Sequence, residues 1–283
     1  MPAEKSEIPR EETTLRAQPF LSWAGGKRKL IPLLVSHLPS DMSRRRYVEP
    51  FLGAGSLFFK VGPTNALLSD ANPFLIAAYE GIRDHADAVR GELKKHIESH
   101  SSAHYYRTRD AYNRLRHSAA QTARFIYLNK TCFNGIFRVN TKGQFNVPKG
   151  SKDRPTMPLR EDFQAIAKAL SHATLTHGDF SKTLANVAAS DFVYLDPPYP
   201  ALNGTAYFTH YTSDRFDSKA QERLAENVKQ VDNRGASFLM SNADVDSIRA
   251  LYANFDMVSV PVQRFVSCKG KRVPVSELLI KNY

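Results

Sequence analysis

The chain has 283 residues, 42% hydrophobic and 24% charged, a globular balance that excludes a collagen-like, coiled-coil or wholly disordered molecule. Its length allows about two domains and a core that needs no disulfide. Lys and Arg number 39 against 28 Asp and Glu, so the net charge is +11 and the isoelectric point is near 9.6, which points to a polyanionic partner, nucleic acid before an anionic membrane surface. Cys132 and Cys268 stand far apart without ligand-spaced His or Cys, so neither a disulfide framework nor a metal site is expected. No apolar run approaches the ~18 residues of a membrane span, and a soluble, cytoplasmic protein is expected.

Residues 1–17 are charged and nearly free of large apolar groups, and are expected to form a flexible leader. Arg46, Tyr47, Val48 and Glu49 read as a strand running into Pro50-Phe51-Leu52-Gly53-Ala54-Gly55-Ser56, after which Leu57, Phe58 and Phe59 open a helical pattern. Strand, glycine turn and helix form a cradle in which a ligand approaches the backbone and the helix start offers N–H donors. The third glycine of a dinucleotide fingerprint is absent, since Phe58 stands at its spacing, which argues against NAD or FAD. A second strand, Ala66-Leu67-Leu68, ends at Ser69-Asp70-Ala71-Asn72, with Asp70 placed to accept from ribose hydroxyls.

The charge excess is local. Residues 76–160 carry 16 Lys and Arg against 7 Asp and Glu, and the rest of the chain is nearly neutral. A solvated helical face would explain a short run of this kind. This one is long and interleaved with Tyr105, Tyr106, Tyr112, Phe125, Tyr127, Phe133 and Phe137, so cations on phosphates and rings stacked on bases are expected, with Arg116 among the cations. Residues 76–130 lack Pro and have helical spacing. Residues 136–139 and 144–147 then flank Asn140-Thr141-Lys142-Gly143, which predicts a β-hairpin. A two-stranded ribbon fits the DNA major groove, and the Arg138 fork suits guanine O6 and N7.

The sharpest motif is Asp196-Pro197-Pro198-Tyr199 at the end of the apolar run Phe192-Val193-Tyr194-Leu195. Two prolines can simply end a strand that Asp caps and Tyr covers. The same group also suits a planar amine such as adenine N6, whose lone pair is delocalised into its ring. Acceptors on both N–H bonds, the Asp196 carboxylate and the Pro197 carbonyl, draw that pair out of conjugation while Tyr199 stacks on the base. Such preorganised acceptors stabilise the positive charge that develops on nitrogen, and no metal is needed. Further on, residues 208–212 read as a loop that closes over such a base or as an ordinary aromatic strand. Residues 255–264 and 275–283 read as paired strands around a loop whose Lys269 and Lys271 either hold phosphates or belong to a simply solvated turn.

From Gln18 to Tyr283 the chain resembles the Dam-type (alpha-class, D12 class) DNA adenine-N6 methyltransferases, in their GATC-specific subgroup. The resemblance rests on the order of Pro19-Phe20-Leu21-Ser22-Trp23-Ala24-Gly25-Gly26-Lys27, Glu49 to Ser56, Ser69 to Asn72, Phe133-Asn134-Gly135-Ile136-Phe137-Arg138, Phe145 to Pro148, Gly178-Asp179-Phe180 and Asp196 to Tyr199. It implies a Rossmann-like α/β core, a mixed seven-stranded sheet with helices on both faces, for residues 18–75 and 165–283. Residues 76–164 would be an inserted, mainly helical DNA-recognition domain with a β-hairpin.

It further implies S-adenosylmethionine held by Trp23, Ala24, Gly25, Gly26 and Lys27, by Pro50, Phe51, Gly53, Ala54, Gly55 and Ser56, and by Asp70, Asp179 and Phe180. Asp70 would sit on the ribose, Asp179 would accept from the cofactor's adenine amine and Phe180 would pack beside that ring. Arg138 would read guanine, Phe133 and Asn134 would enter the stack beside a flipped adenine, and Ile136 and Pro148 would touch other bases. Ile136 replaces an expected leucine and Phe133 an expected tyrosine. A monomer that methylates N6 of adenine in duplex DNA by base flipping and in-line transfer is implied, in restriction-modification or in marking DNA for replication or mismatch repair. Methylation of cytosine N4, ribosomal RNA or a protein amide, or a DNA-binding module that keeps the cofactor pocket without catalysis, stay open at this point.

Overall fold

The computed structural model describes residues 17–23, 25–114, 118–151, 153, 155–156, 158, 160–200, 216–265 and 272–283. The expected leader to residue 16, Ala24, Arg116, residues 208–212, Cys268, Lys269 and Lys271 lie outside the described residues. Strands β1 (Tyr47–Glu49), β2 (Ala66–Asp70), β3 (Ala173–His177), β4 (Phe192–Leu195), β5 (Ser237–Ala243), β6 (Asp256–Phe265) and β7 (Arg272–Lys281) form one sheet in the order β3-β2-β1-β4-β5-β7-β6. The first five strands of that order are parallel, and β7 and β6 join antiparallel. The mixed seven-stranded α/β sheet expected from the sequence is present.

The helices are α1 (Ile31–Ser36), α2 (Ser56–Val61), α3 (Pro73–Glu98), α4 (Ser102–Tyr112), α5 (Ala119–Thr131), α6 (Arg160–Leu170), α7 (Phe180–Ala185), α8 (Ser218–Asn233) and α9 (Asp246–Leu251). Alternation along the strands sends Tyr47, Leu68, Phe192 and Leu239 into one core with α1, α2, α3 and α6, and Val48, Val193, Leu195 and Met240 into another with α7, α8 and α9. Both faces are thus covered, as a parallel sheet requires. Strand order reverses between β1 and β4. A crevice opens beyond the carboxyl ends of strands at such a switch point, and both the glycine turn and Asp196 lie there.

Among the described residues, the segment between β2 and β3 has no core of its own. Tyr105, Phe125, Tyr127, Phe137 and Phe145 are buried in the core that covers one face of the sheet. Helix α3 enters through Asn72, whose side chain accepts from the N–H of Phe74 and Leu75, with Pro73 in the first turn. It bends at His85 (φ −142°, ψ 37°) and packs on α5 and α6 as well as on β2 and β3. Residue 76, where the recognition segment was expected to begin, therefore lies inside a continuous helix.

Two sequence expectations are corrected. The hairpin at residues 136–147 reverses as expected, with Gly143 N–H donating to Asn140 O (2.9 Å) and Asn140 N–H to Gln144 O (2.8 Å). Its ladder, however, is a single bridge, Val139 to Phe145, because both arms turn inward to bury Phe137, Phe145 and Val147. Nor are the aromatic residues of the basic region a stacking platform. Tyr105, Tyr112, Phe125, Tyr127 and Phe137 are at most 5% exposed, and only Tyr106 (39%) and Phe133 (50%) remain open.

The α3–α5 contact is close enough to be tested by a methyl group. A Cβ on Gly81 would lie 2.0 Å from Thr122 Oγ1 and 2.9 Å from Thr122 Cβ, whereas one on Gly91, in the same helix, would meet nothing within 4 Å. Gly91→Ala should stabilise the protein by up to about 1 kcal/mol through helix propensity. Gly81→Ala should cost roughly 1–3 kcal/mol by overpacking, despite the same propensity gain. Urea denaturation of the two variants measures the difference, and equal shifts would show that α3 and α5 separate freely.

Candidate active site and nucleic-acid interface

The turn after β1 is closed by three contacts. Leu52 N–H donates to Ser69 O, Gly53 N–H donates to Asp70 Oδ2 (3.0 Å) and Tyr79 Oη donates to Gly53 O (3.0 Å). Gly53 (φ 48°) and Gly55 (φ 63°) hold left-handed conformations that side chains resist, and a Cβ on Gly53 would stand 3.0 Å from Trp23 Cδ1. Trp23 thus lies against the turn, where the sequence reading puts a wall of the cofactor site. Asp70 also accepts from Asn72 N–H (2.9 Å), and burial raises its carboxyl to about 6 against these two donors. Ser56 Oγ, Ser69 Oγ and Asn72 Nδ2 are buried around the turn with no hydrogen-bond partner among the described residues. A ligand with several polar groups fits such a cradle.

Asp179 and Phe180 lie beside it. Phe180 packs on Phe51 (5.4 Å between centroids) and Phe216 (5.8 Å). Arg223, on α8, lays its guanidinium 4.4 Å from the Phe180 centroid and donates to both Asp179 oxygens (2.6 and 2.8 Å), which holds that carboxyl at about 2. The acceptor edge expected to receive an aminopurine is thus engaged by another planar donor stacked on the same ring, and the residues fit such a group. Nothing in the sequence pointed to Arg223 or Phe216, which reach the site from α8 and the segment before it.

Asp196 follows β4. Its Oδ1 accepts from Ser241 Oγ (2.9 Å), which in turn accepts from Tyr194 Oη (3.2 Å), and it meets Lys27 Nζ at 2.7 Å. Lys27 is 7% exposed. It also donates to Gly25 O (3.2 Å), stands 3.9 Å from Glu277 Oε2 and lies 4.4 Å from the Tyr199 centroid. Tyr199 Oη donates to Glu277 Oε2 (2.8 Å). Gln221 Nε2 donates to Pro198 O (2.9 Å), while Pro197 O has no donor among the described residues. Burial raises the Asp196 carboxyl above its ordinary range, and Lys27 pulls the other way. Glu49, 2% exposed and bonded by Tyr47 Oη, is pushed well above the carboxylate range by burial. Lys27, expected to help enclose the cofactor, stands at the Asp196 carboxylate.

Glu277 went unnoticed in the sequence, yet strand register brings it here. Glu277 pairs with Ala243, and Leu279 with Ser241, so all four share one face of the sheet.

On the expected DNA side, Phe133, Asn134, Arg138, Lys142 and Pro148 are exposed and Ile136 is half-buried. Asn134 holds φ 54°, and Arg138 Nε donates to Asn146 Oδ1 (2.8 Å). Asn129 ties this loop to the cofactor segment: its Nδ2 donates to Ser22 O (2.7 Å) and Gly135 O (3.2 Å), and its Oδ1 accepts from Ser22 N–H (2.8 Å). Among the described residues no group of three or more His, Cys, Asp and Glu is arranged to hold a metal ion, and no helix is long and apolar enough to cross a membrane.

A family model described as D12 class N6 adenine-specific DNA methyltransferase matches residues 23–266. The type II methyltransferase M.MjaIII of Methanocaldococcus jannaschii is 35% identical over 95% of this chain and 100% of its own length. The DNA adenine methylase of Vibrio cholerae is 36% identical over 92% of this chain and 94% of its own, and that of Escherichia coli K12 is 34% identical over 92% and 93%.

An aminopurine that uses Asp179 must displace Arg223. Arg223→Ala should therefore tighten binding of S-adenosylhomocysteine several-fold in calorimetry, and unchanged or weaker binding would show that the purine amine goes elsewhere.

Proposed function

The chain belongs to the D12 class N6 adenine-specific DNA methyltransferases, enzymes that use S-adenosylmethionine, and on that premise we propose that it methylates adenine N6 within GATC of duplex DNA, on a base rotated out of the stack. The observation that carries this reading is Asp196, a half-buried carboxylate at the β1/β4 switch point, beside Pro197 O and the Tyr199 ring. A stacked adenine cannot bring its amine to such a site, so the base must leave the duplex.

When bound, S-adenosylmethionine supplies an electrophilic methyl carbon. Trp23, the turn at Gly53 to Ser56, and Asp70 hold it on one side, and Asp179 and Phe180 take its purine once Arg223 moves aside. Asp196 and Pro197 O accept from the two N–H bonds of the target amine. They turn its lone pair out of the ring and stabilise the positive charge that nitrogen acquires; the methyl's bond to sulfur would break to leave a neutral thioether as the N–C bond forms, and the nitrogen then releases one proton to water. Tyr199, its hydroxyl fixed on Glu277, stacks on the base. Reactant and amine held in contact supply much of the rate.

For recognition, Arg138 reads guanine, Phe133 and Asn134 enter the gap left by the flipped base, Ile136 and Pro148 make apolar base contacts, and Lys142 meets phosphate. The exposure of Phe133 at 50%, unusual for such a ring, supports this reading. The protein acts as a monomer, and type II methyltransferases among its relatives favour a place beside a restriction nuclease.

Incubation with tritiated S-adenosylmethionine and plasmid DNA should place label in N6-methyladenine and block a methylation-sensitive GATC nuclease. Asp196→Ala should abolish both, and label in N4-methylcytosine would overturn the base assignment. Arg138→Ala should cost roughly 1–3 kcal/mol of discrimination at one guanine. Equal losses on specific and random duplexes would make it a phosphate contact instead.

A further inference from the structure

Asp196 Oδ1 carries two donors, Lys27 Nζ at 2.7 Å and Ser241 Oγ at 2.9 Å. That oxygen is taken, so the target amine meets Oδ2 of the same carboxylate. An ammonium bound there also lies beside the nitrogen that becomes positive during transfer, where its charge opposes the reaction. Withdrawal of Lys27 from Asp196 as the base arrives relieves that repulsion. Lys27 is 7% exposed, and a buried ammonium without a partner is strongly disfavoured. The next carboxylate within reach is Glu277, 2% exposed, whose Oε2 is 3.9 Å from Nζ and is fixed by the Tyr199 hydroxyl.

We propose that Glu277 is a positioning residue: it receives the Lys27 ammonium when the target amine takes its place on Asp196. The inference rests on the reading of Asp196 as the amine's acceptor. Closure of the Lys27–Glu277 gap to a normal contact is a movement of about 1 Å, within the reach of one lysine rotamer. Tyr199 joins the two events, since the ring that stacks on the base is the one whose hydroxyl orients the receiving carboxylate and whose face lies beneath Nζ. Glu277 thus keeps the cation available to pair Asp196 when no base is present and draws it off when one is.

The test is the single-turnover rate of methyl transfer to a GATC duplex across pH for wild type, Glu277→Gln, Lys27→Met, the double variant and Glu277→Asp. Glu277→Gln should slow transfer by about tenfold, the scale on which loss of an outer hydrogen-bond partner acts at metal sites. The acidic limb of its pH profile should also move to lower pH. The Glu277 charge raises the Asp196 carboxyl, activity needs that carboxyl ionised, and loss of the anion lets it stay ionised at lower pH. The double variant should lose less than the product of the two single losses, because without Lys27 there is no cation for Glu277 to receive.

An unmoved acidic limb, or losses that multiply, would overturn the inference. Glu277→Asp keeps the charge but withdraws it by one methylene. It should slow transfer with the limb in place, and a wild-type rate there would overturn the inference even if Glu277→Gln does not fold. Nucleoside analysis of the wild-type product separates the two readings. Label outside adenine N6 removes both, whereas wild-type N6 methylation with multiplicative losses removes only the role of Glu277.

Discussion

Four carboxyl groups, Glu49, Asp70, Asp196 and Glu277, converge where the parallel strands of the sheet end, and Lys27 is the one buried ammonium described among them. Desolvation raises Glu49, Asp70 and Asp196, and mutual repulsion adds to this at Glu49 and Asp196. The cluster divides into roles by what each group is given. Glu49 has a phenol and is pushed well above the carboxylate range by burial, and Asp70 has two backbone N–H groups that tie it to the glycine turn. Only Asp196 and Glu277 share the cation. Asp196, pressed upward by burial and drawn down by Lys27 and Ser241, is the group of the four on which opposing influences meet.

The sheet makes this arrangement possible. Parallel strands present their carboxyl ends on one edge, so β1, β2 and β4 deliver Glu49, Asp70 and Asp196 to one place. An antiparallel β7 brings Glu277 in from the opposite direction, and its pairing with β5 sets the face on which that side chain emerges. A shift of one residue in this register would turn Glu277 away from the crevice and Leu278 into it.

Legibility in the sequence followed the range of the interactions. Local patterns marked the strand–glycine–helix unit, Asp70, the Asp-Pro-Pro-Tyr turn, the terminal strand pair and the basic segment, because their signals lie within a few adjacent residues. The partners of those residues were not legible. Arg223 meets Asp179 across 44 positions and Tyr199 meets Glu277 across 78, and no short-range pattern encodes such pairings. The error over the aromatic residues has a different cause. Tyr105, Phe125 and Phe137 among cations look alike whether they stack on bases or fill a core, and only burial separates the cases. Charge was the better guide, since cations are seldom drawn inside.

The shared core joins the loop of Phe133, Asn134 and Arg138 to the glycine turn. Phe137, between Ile136 and Arg138, packs with Phe74, Phe125, Phe145 and Trp23, the last at 6.0 Å and nearly parallel. Trp23 in turn lies over Gly53, and Asn129 spans Ser22 and Gly135 with three hydrogen bonds. A displacement of the loop that carries Phe133, Asn134 and Arg138 cannot be absorbed by a hinge between separate cores. It passes through close-packed rings to the wall of the glycine turn, because interiors at this density transmit strain. One hydrophobic core under both surfaces therefore joins the loop of Phe133 to Arg138 with the glycine turn through close-packed rings.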